Sequence, residues 1–307
     1  MKLEGIHHIT AITGDAPGNV DFYTRVLGLR MVKKTVNQDD PTVYHLFYAD
    51  ELGSPGADLT FFEYPGAALG RAGAGMVHRI VWRVASEDAL SFWGERLAGE
   101  GVAVDRPYAG AVRFRDPEGL EHELAVSDAP DVPLVAAHPE VPAEHALQGF
   151  DAVRAFSADP SRSRALLEEG LGFEPAGEDA WEARGEQRGG VIHYDAPPAE
   201  RGLQGAGTIH HVAWATPPAE QEEWRVRVSR AGARPTPVID RFYFKSVYFR
   251  EPSGVLFEIA TIGPGFTSDE PLDTLGESLS LPPAFEHLRA HIEATVTPLP
   301  PARHART

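Results

Sequence analysis

The segment Gly207–Thr216, GTIHHVAWAT, sets two adjacent histidines, His210 and His211, in an apolar run of strand-forming residues. Nearly the same phrase opens the chain at Gly5–Thr10, GIHHIT, and a related strand begins at Met76 with MVHRIVWRV. A phrase that returns at distant positions marks an internal repeat. Side chains alternate along a strand. One histidine of each pair is therefore expected to face a pocket and its neighbour an outer layer.

The residues between these phrases define the repeating unit. Strands at 5–12, 29–36, 43–48 and 58–64 surround a short amphipathic helix, Val20–Leu27, which Gly28 stops. The second unit has a strand from Met76, a helix over Asp88–Leu97 and strands at 112–115 and 120–126 around the turn DPEG. A Pro-, Ala- and Asp-rich stretch at 128–145 reads as a linker. The third unit, from Gly149, has the strand FDAVRAF, a helix over Pro160–Glu169 and a hairpin at 181–195; its first strand carries no histidine. The fourth unit starts at His210, continues through a helix over Ala219–Ala231 and ends in KSVYFREPSGVLFEIAT, two strands about an EPSG turn. A last helix follows Pro282 and Pro283. His287 and His291 share a face on it but lack an acidic partner, so packing or solvent roles are expected. The pattern predicts an α+β fold of four βαβββ modules in two paired-sheet halves, 1–135 and 136–307. It does not fix which modules pair.

Composition narrows the function. A formal charge of −17 argues against a nucleic-acid surface and against anionic membranes. No apolar stretch is long enough to span a bilayer and no leader-like segment opens the chain, so a cytoplasmic setting is the expectation. Without cysteine, any metal must sit among nitrogen and oxygen ligands. A GxGxxG phosphate loop is missing from any strand–helix junction, and GAALGRAGAG near residue 70 reads as a surface loop.

Three first strands carry histidine at what reads as a comparable position, His8, His78 and His211, and two last strands carry an acid in a matching phrase, Glu123 and Glu258. His8, His211 and Glu258 make a two-imidazole, one-carboxylate set for a divalent metal, with positions left for substrate and oxygen or water. A second site built on His78 and Glu123 lacks half of its donors. The first unit ends in LTFFEY, where either Phe62 or Glu63 matches Glu258; the first choice gives three protein ligands and the second four. PTVYHLFYAD places His45 beside the pocket or in a structural hydrogen bond.

Over almost its whole length the chain resembles the vicinal oxygen chelate superfamily, and within it the ring-cleaving extradiol dioxygenases of the hydroquinone 1,2-dioxygenase kind. The phrases that carry the likeness are GIHHITAITGDAPGNVDFY, YHLFYADELGSPG, GTIHHVAWA and KSVYFREPSGVLFEIAT with its GFTSDE continuation. The resemblance implies His8, His211 and Glu258 as ligands to Fe(II), with Mn(II) as the other metal of the family. It implies an outer role for His7 and His210, a pocket role for Tyr248 and a nearby basic residue in Arg241. FYFK at 242–245 departs from the family segment, which bears on pocket shape. The implied reaction joins O2 to a small aromatic diol, a hydroquinone or catechol, without nicotinamide or flavin. A homodimer is the expected assembly. Two other functions share the fold: a glyoxalase-like isomerase or lyase, which favours four protein ligands, and a metal-free ligand-binding resistance protein, which has no need of the three ligands together.

Overall fold

The structure, a computed structural model, describes residues 1–301. Its first unit runs β1 (Ile6–Thr13), α1 (Ala16–Asp21), β2 (Arg30–Asn37), β3 (Asp40–Ala49) and β4 (Asp58–Glu63). The helix starts earlier than periodicity suggested, because Asp15 caps it by accepting a hydrogen bond from the Gly18 amide. It then widens into a π turn over Phe22–Val26. The second unit has β5 (Val77–Val84), α2 (Glu87–Gly99), β6 (Ala111–Arg115) and β7 (Glu121–Val126), its missing strand reduced to a single bridge between Asp105 and Arg113. The third has β8 (Phe150–Phe156), β9 (Glu174–Pro175), β10 (Ala180–Arg184) and β11 (Gly189–Asp195). The helix expected over Pro160–Glu169 is instead a 3-10 turn, Pro160–Ser163, followed by a π turn, Leu166–Gly170. The fourth has β12 (Ile209–Thr216), α3 (Gln221–Arg230), β13 (Ile239–Asp240), β14 (Lys245–Arg250) and β15 (Leu256–Thr261), before a closing α4 (Arg289–Thr295).

The first unit pairs with the fourth and the second with the third. The eight-stranded sheet has the order β13-β14-β15-β12-β1-β4-β3-β2, and the seven-stranded sheet β6-β7-β5-β8-β11-β10-β9. Each sheet thus takes one unit from residues 1–135 and one from 136–307. In both sheets the two first strands meet antiparallel at the centre, β1 on β12 and β5 on β8. This gives each sheet a local two-fold axis between its central strands.

One apolar cluster joins the units, with Trp82, Trp93, Trp214 and Trp224 wholly enclosed. Burying an aromatic side chain of that size contributes roughly 2–3 kcal/mol or more each. Glycines allow the backbone to pass close to neighbouring chain at two points. A Cβ on Gly5 would lie 2.7 Å from the Gly189 carbonyl, and one on Gly207 would lie 2.1 Å from that of Glu118. Both glycines also have positive φ, +75° and +76°. They fix the starts of the two histidine strands.

No helix among the described residues is long and apolar enough to cross a membrane.

Candidate metal centre

His8 on β1, His211 on β12 and Glu258 on β15 converge at the middle of the eight-stranded sheet, all three buried. The two imidazole Nε2 atoms are 3.3 Å apart, and Glu258 Oε2 lies 3.2 Å from His8 Nε2 and 2.9 Å from His211 Nε2. Metal bonds of about 2.1 Å at right angles separate their donor atoms by about 3.0 Å, so the three atoms suit one face of an octahedral ion. Glu258 is 0 % exposed, and neither oxygen receives a properly directed hydrogen bond. A buried carboxylate left so is costly unless a cation answers it. Burial pushes the Glu258 carboxyl up, but the two imidazoles outweigh it and hold it well below the usual carboxylate range. Burial pushes His211 down, which keeps its ring neutral and its lone pair available. The donor set and its orphaned oxygens therefore fit a divalent metal. Among the described residues this is the one cluster of such ligands.

Strict alternation fails at both histidine pairs. The pairing of β1 with β12 skips one residue at His7 and one at His210, each a β-bulge. The extra residue brings each first histidine beside its successor: His7 Nδ1 lies 2.9 Å from His8 Nδ1, and His210 Nδ1 lies 2.8 Å from His211 Nδ1. His7 is buried, reaches the Thr261 carbonyl with its other nitrogen, and burial brings it down to about 3. His210 is exposed at the rim, its ring edge-on to Phe62, and lies at about 4 through burial of the imidazole and the neighbouring His211.

The pocket above the triad is small, about 40 Å3, and takes its walls from both units of the sheet. Tyr248 faces Glu258 across β14 and β15 and meets the His211 ring edge-on at 5.7 Å. Burial, with the Glu258 charge, pushes its phenol above the ordinary value, so it is a donor at neutral pH. Arg241 places its guanidinium 5.6 Å from the Tyr248 ring and grips Asp39 through two nitrogens at 3.1 and 2.9 Å. Its carbonyl accepts from Gln38 Nε2 at 2.7 Å. Gln38 and Asp39, at the β2–β3 turn, thereby close the mouth. A larger concavity of about 840 Å3 lies against α1, β6 and β7, lined by charges of both signs and remote from the triad.

Neither candidate in LTFFEY stands opposite Glu258 in the repeat. Thr10, two residues past His8, pairs with Thr60, whereas Ala213, two past His211, pairs with Glu258. Thr60 is the counterpart. Phe62 lines the pocket, and Glu63 points to the other face of β4, where the Thr297 hydroxyl donates to it at 2.8 Å. His45, on β3, does reach the pocket and bonds Thr60 Oγ1 through Nε2 at 2.9 Å.

The second sheet corrects the assignment of His78. Its bulge falls at His78, so that residue matches His7 and His210, and Arg79 takes the place of His8. Ala152 stands in the place of His211. Glu123, on the last strand of its own unit, takes the place that Thr60 has in the first unit and Glu258 in the fourth, but Arg79, Arg113 and Tyr108 occupy its oxygens. A guanidinium supplies there the positive charge that a metal would supply in the other sheet. His287 and His291 lie in the 3-10 turn Pro283–Leu288 and in α4, without joining any ligand cluster.

Comparison with known proteins agrees with this geometry. The sequence profile of the Glyoxalase/Bleomycin resistance protein/Dioxygenase superfamily matches residues 5–124 and 149–259. The chain is 40% identical to "Putative ring-cleaving dioxygenase MhqA" of Bacillus subtilis over 97% of its own length and 100% of that protein. It is 32% identical to the chlorohydroquinone/hydroquinone 1,2-dioxygenase of Sphingobium indicum, over 96% of each chain. A Bacillus subtilis crystal structure named as a putative dioxygenase shares 40% identity with a TM-score of 0.91 over 99% of both chains. Maize glyoxalase I, at 16% identity and a TM-score of 0.58 over 84% of this chain and 92% of that one, shares the fold. With its four modules and its His/His/Glu metal-binding triad, the chain belongs to the Glyoxalase/Bleomycin resistance protein/Dioxygenase superfamily, the vicinal oxygen chelate proteins, and resembles the ring-cleaving dioxygenases within it.

Proposed function

We propose that the protein is an Fe(II)-dependent extradiol-type dioxygenase that opens the ring of a hydroquinone, with catechols as the second substrate class and Mn(II) as the other metal the ligands accept. The observation that carries this reading is the ligand count. Three buried donors converge, and the residue in register with Glu258 is a threonine, so among the described residues no fourth His, Asp or Glu joins the triad. A glyoxalase-like isomerase is expected to fill that corner with a fourth ligand, and Glu63 is turned away from it. The relatives named above as hydroquinone and ring-cleaving dioxygenases support the same choice.

His8, His211 and Glu258 would hold the Fe(II), which would supply Lewis-acid and one-electron chemistry toward the aromatic diol and O2. The chain's own residues do the rest. Tyr248, kept protonated, donates a hydrogen bond to a substrate oxygen, and Arg241 answers negative charge that develops on the ring. His7 and His210 hold the ligand rings through their Nδ1 atoms. Phe47, Phe62 and Phe244 exclude water from the walls. Gln38 and Asp39 hold Arg241 at the wall of the cavity of about 40 Å3.

The test is oxygen uptake by protein loaded anaerobically with Fe(II) and given hydroquinone, catechol or a glutathione hemithioacetal. Uptake matched by ring-opened product with the diols is expected. Isomerisation of the hemithioacetal without uptake from the diols would replace this reading by the glyoxalase one.

A further inference from the structure

The local two-fold of the metal-bearing sheet exchanges β1 with β12 and β4 with β15, and so exchanges Thr60 with Glu258. A metal centre placed between these strands has a fourth protein corner, and Thr60 stands at it. Thr60 is wholly buried. Its Oγ1 lies 2.8 Å from Thr10 Oγ1 and 2.9 Å from His45 Nε2. The His45 ring is wedged between Phe47 and Phe62, with centroid separations of 4.0 and 4.4 Å, so its direction is fixed. Burial pushes His45 well below its ordinary value, and it carries a single ring proton.

A hydroxyl has one hydrogen to give and two lone pairs to receive with. When the His45 Nε2–H and the Thr10 O–H both point at Thr60 Oγ1, the two lone pairs are occupied. The Thr60 hydrogen is then left for a third partner. Too short to reach an ion as a glutamate does, Thr60 can serve only an atom that the ion itself holds.

We propose that Thr60 sets the coordination number of this centre: it keeps the fourth corner free of a protein ligand and donates its hydrogen to the oxygen atom that fills that corner, with His45 and Thr10 as the positioning residues that aim it. This rests on the triad being a metal centre, and deepens the ring-cleavage reading by naming the residue that keeps that corner open.

The test loads the full chain with Mn(II) and measures metal release into excess EDTA and water-proton relaxation. Thr60→Glu places a carboxylate at the corner. Release at least about tenfold slower than wild type is expected, with lower relaxivity as an inner water is lost. Release at the wild-type rate with unchanged relaxivity would overturn the proposal. Thr60→Val keeps the shape and removes the hydrogen, which covers the case in which the glutamate does not fold. With Fe(II) content unchanged, its kcat/KM for hydroquinone should fall about tenfold, and Thr60→Ser should restore it. Wild-type kcat/KM in the valine variant would overturn the donor role. The ring-cleavage reading fails separately: a wild type that takes up no O2 with any diol, beside a glutamate variant that still holds Mn(II) longer, removes that reading and leaves Thr60 at the corner.

Discussion

Replacing Tyr248 by Phe removes one oxygen and nothing else. The ring contributes to the wall through its edge contact with His211 and its place under the Arg241 guanidinium, and phenylalanine keeps both. The hydroxyl is pushed above its ordinary value by burial and the Glu258 charge, so at neutral pH it gives a hydrogen rather than taking one. If it meets a substrate oxygen that gains negative charge on the way to the transition state, the lost interaction is a charge-assisted hydrogen bond of about 1.5–3 kcal/mol. That corresponds to a fall of roughly 10- to 150-fold in kcat/KM. The assay is oxygen uptake at saturating and limiting hydroquinone, with iron measured in the same samples. Iron content should match wild type, because the tyrosine is not a ligand. A variant with normal iron and a kcat/KM within twofold of wild type would refute the reasoning and reduce Tyr248 to packing.

Four further substitutions separate the parts of the site from the fold. His211→Ala should abolish stoichiometric Fe(II) or Mn(II) binding, whereas Glu63→Gln, on the far face of β4, should leave it intact; equilibrium dialysis decides between them. Lys33 is wholly buried beneath Asp269 and Glu270, and Tyr243 donates to Asp269, so this ion group ties the 263–281 segment to β2 beside the pocket. Lys33→Met strands two carboxylates and should cost about 3 kcal/mol in urea unfolding, the low end for such pairs because both acids keep some solvent contact. A loss under about 1 kcal/mol would show that the group is solvated and carries little. His122 sits between Trp82, which donates to its Nδ1 at 3.1 Å, and Tyr23, and burial brings it down to about 3. A folded value below the unfolded 6.5 means that the unfolded chain binds the proton first as pH falls. Its contribution is therefore complete well above pH 6.5 and declines as pH falls through 6.5 toward 3, by about 1.6 kcal/mol between pH 6.5 and 5. Metal-free protein unfolded at those two pH values, beside His122→Asn with a shallower slope, tests it.

What the sequence revealed was local and chemical. His8, His211 and Glu258 were legible because ligand-type residues recur inside otherwise apolar phrases, where any other use of a carboxylate costs too much. What it concealed was register. Thr60 is invisible in LTFFEY, since its standing comes from the pairing of β4 with β1, far apart in the chain. The bulges at His7, His78 and His210 each add a residue that strand periodicity cannot anticipate, which is why His78 read as a ligand analogue when Arg79 holds that place. The pairing of first with fourth unit likewise depends on packing between distant segments, around Gly5 and Gly207. His45 carried a signal, a lone histidine in an aromatic strand, but one that a structural hydrogen bond explains equally well until Thr60 is seen beside it.

The central claim is that His8, His211 and Glu258 hold the metal at which O2 meets an aromatic diol. A single turnover of the Fe(II)-loaded protein with hydroquinone under 18O2 tests it most directly. The account predicts consumption of one O2 per iron and a ring-opened product whose new carboxylate carries one 18O. The same triad loaded with iron, yet leaving hydroquinone and O2 unchanged or returning an unlabelled carboxylate, would contradict it.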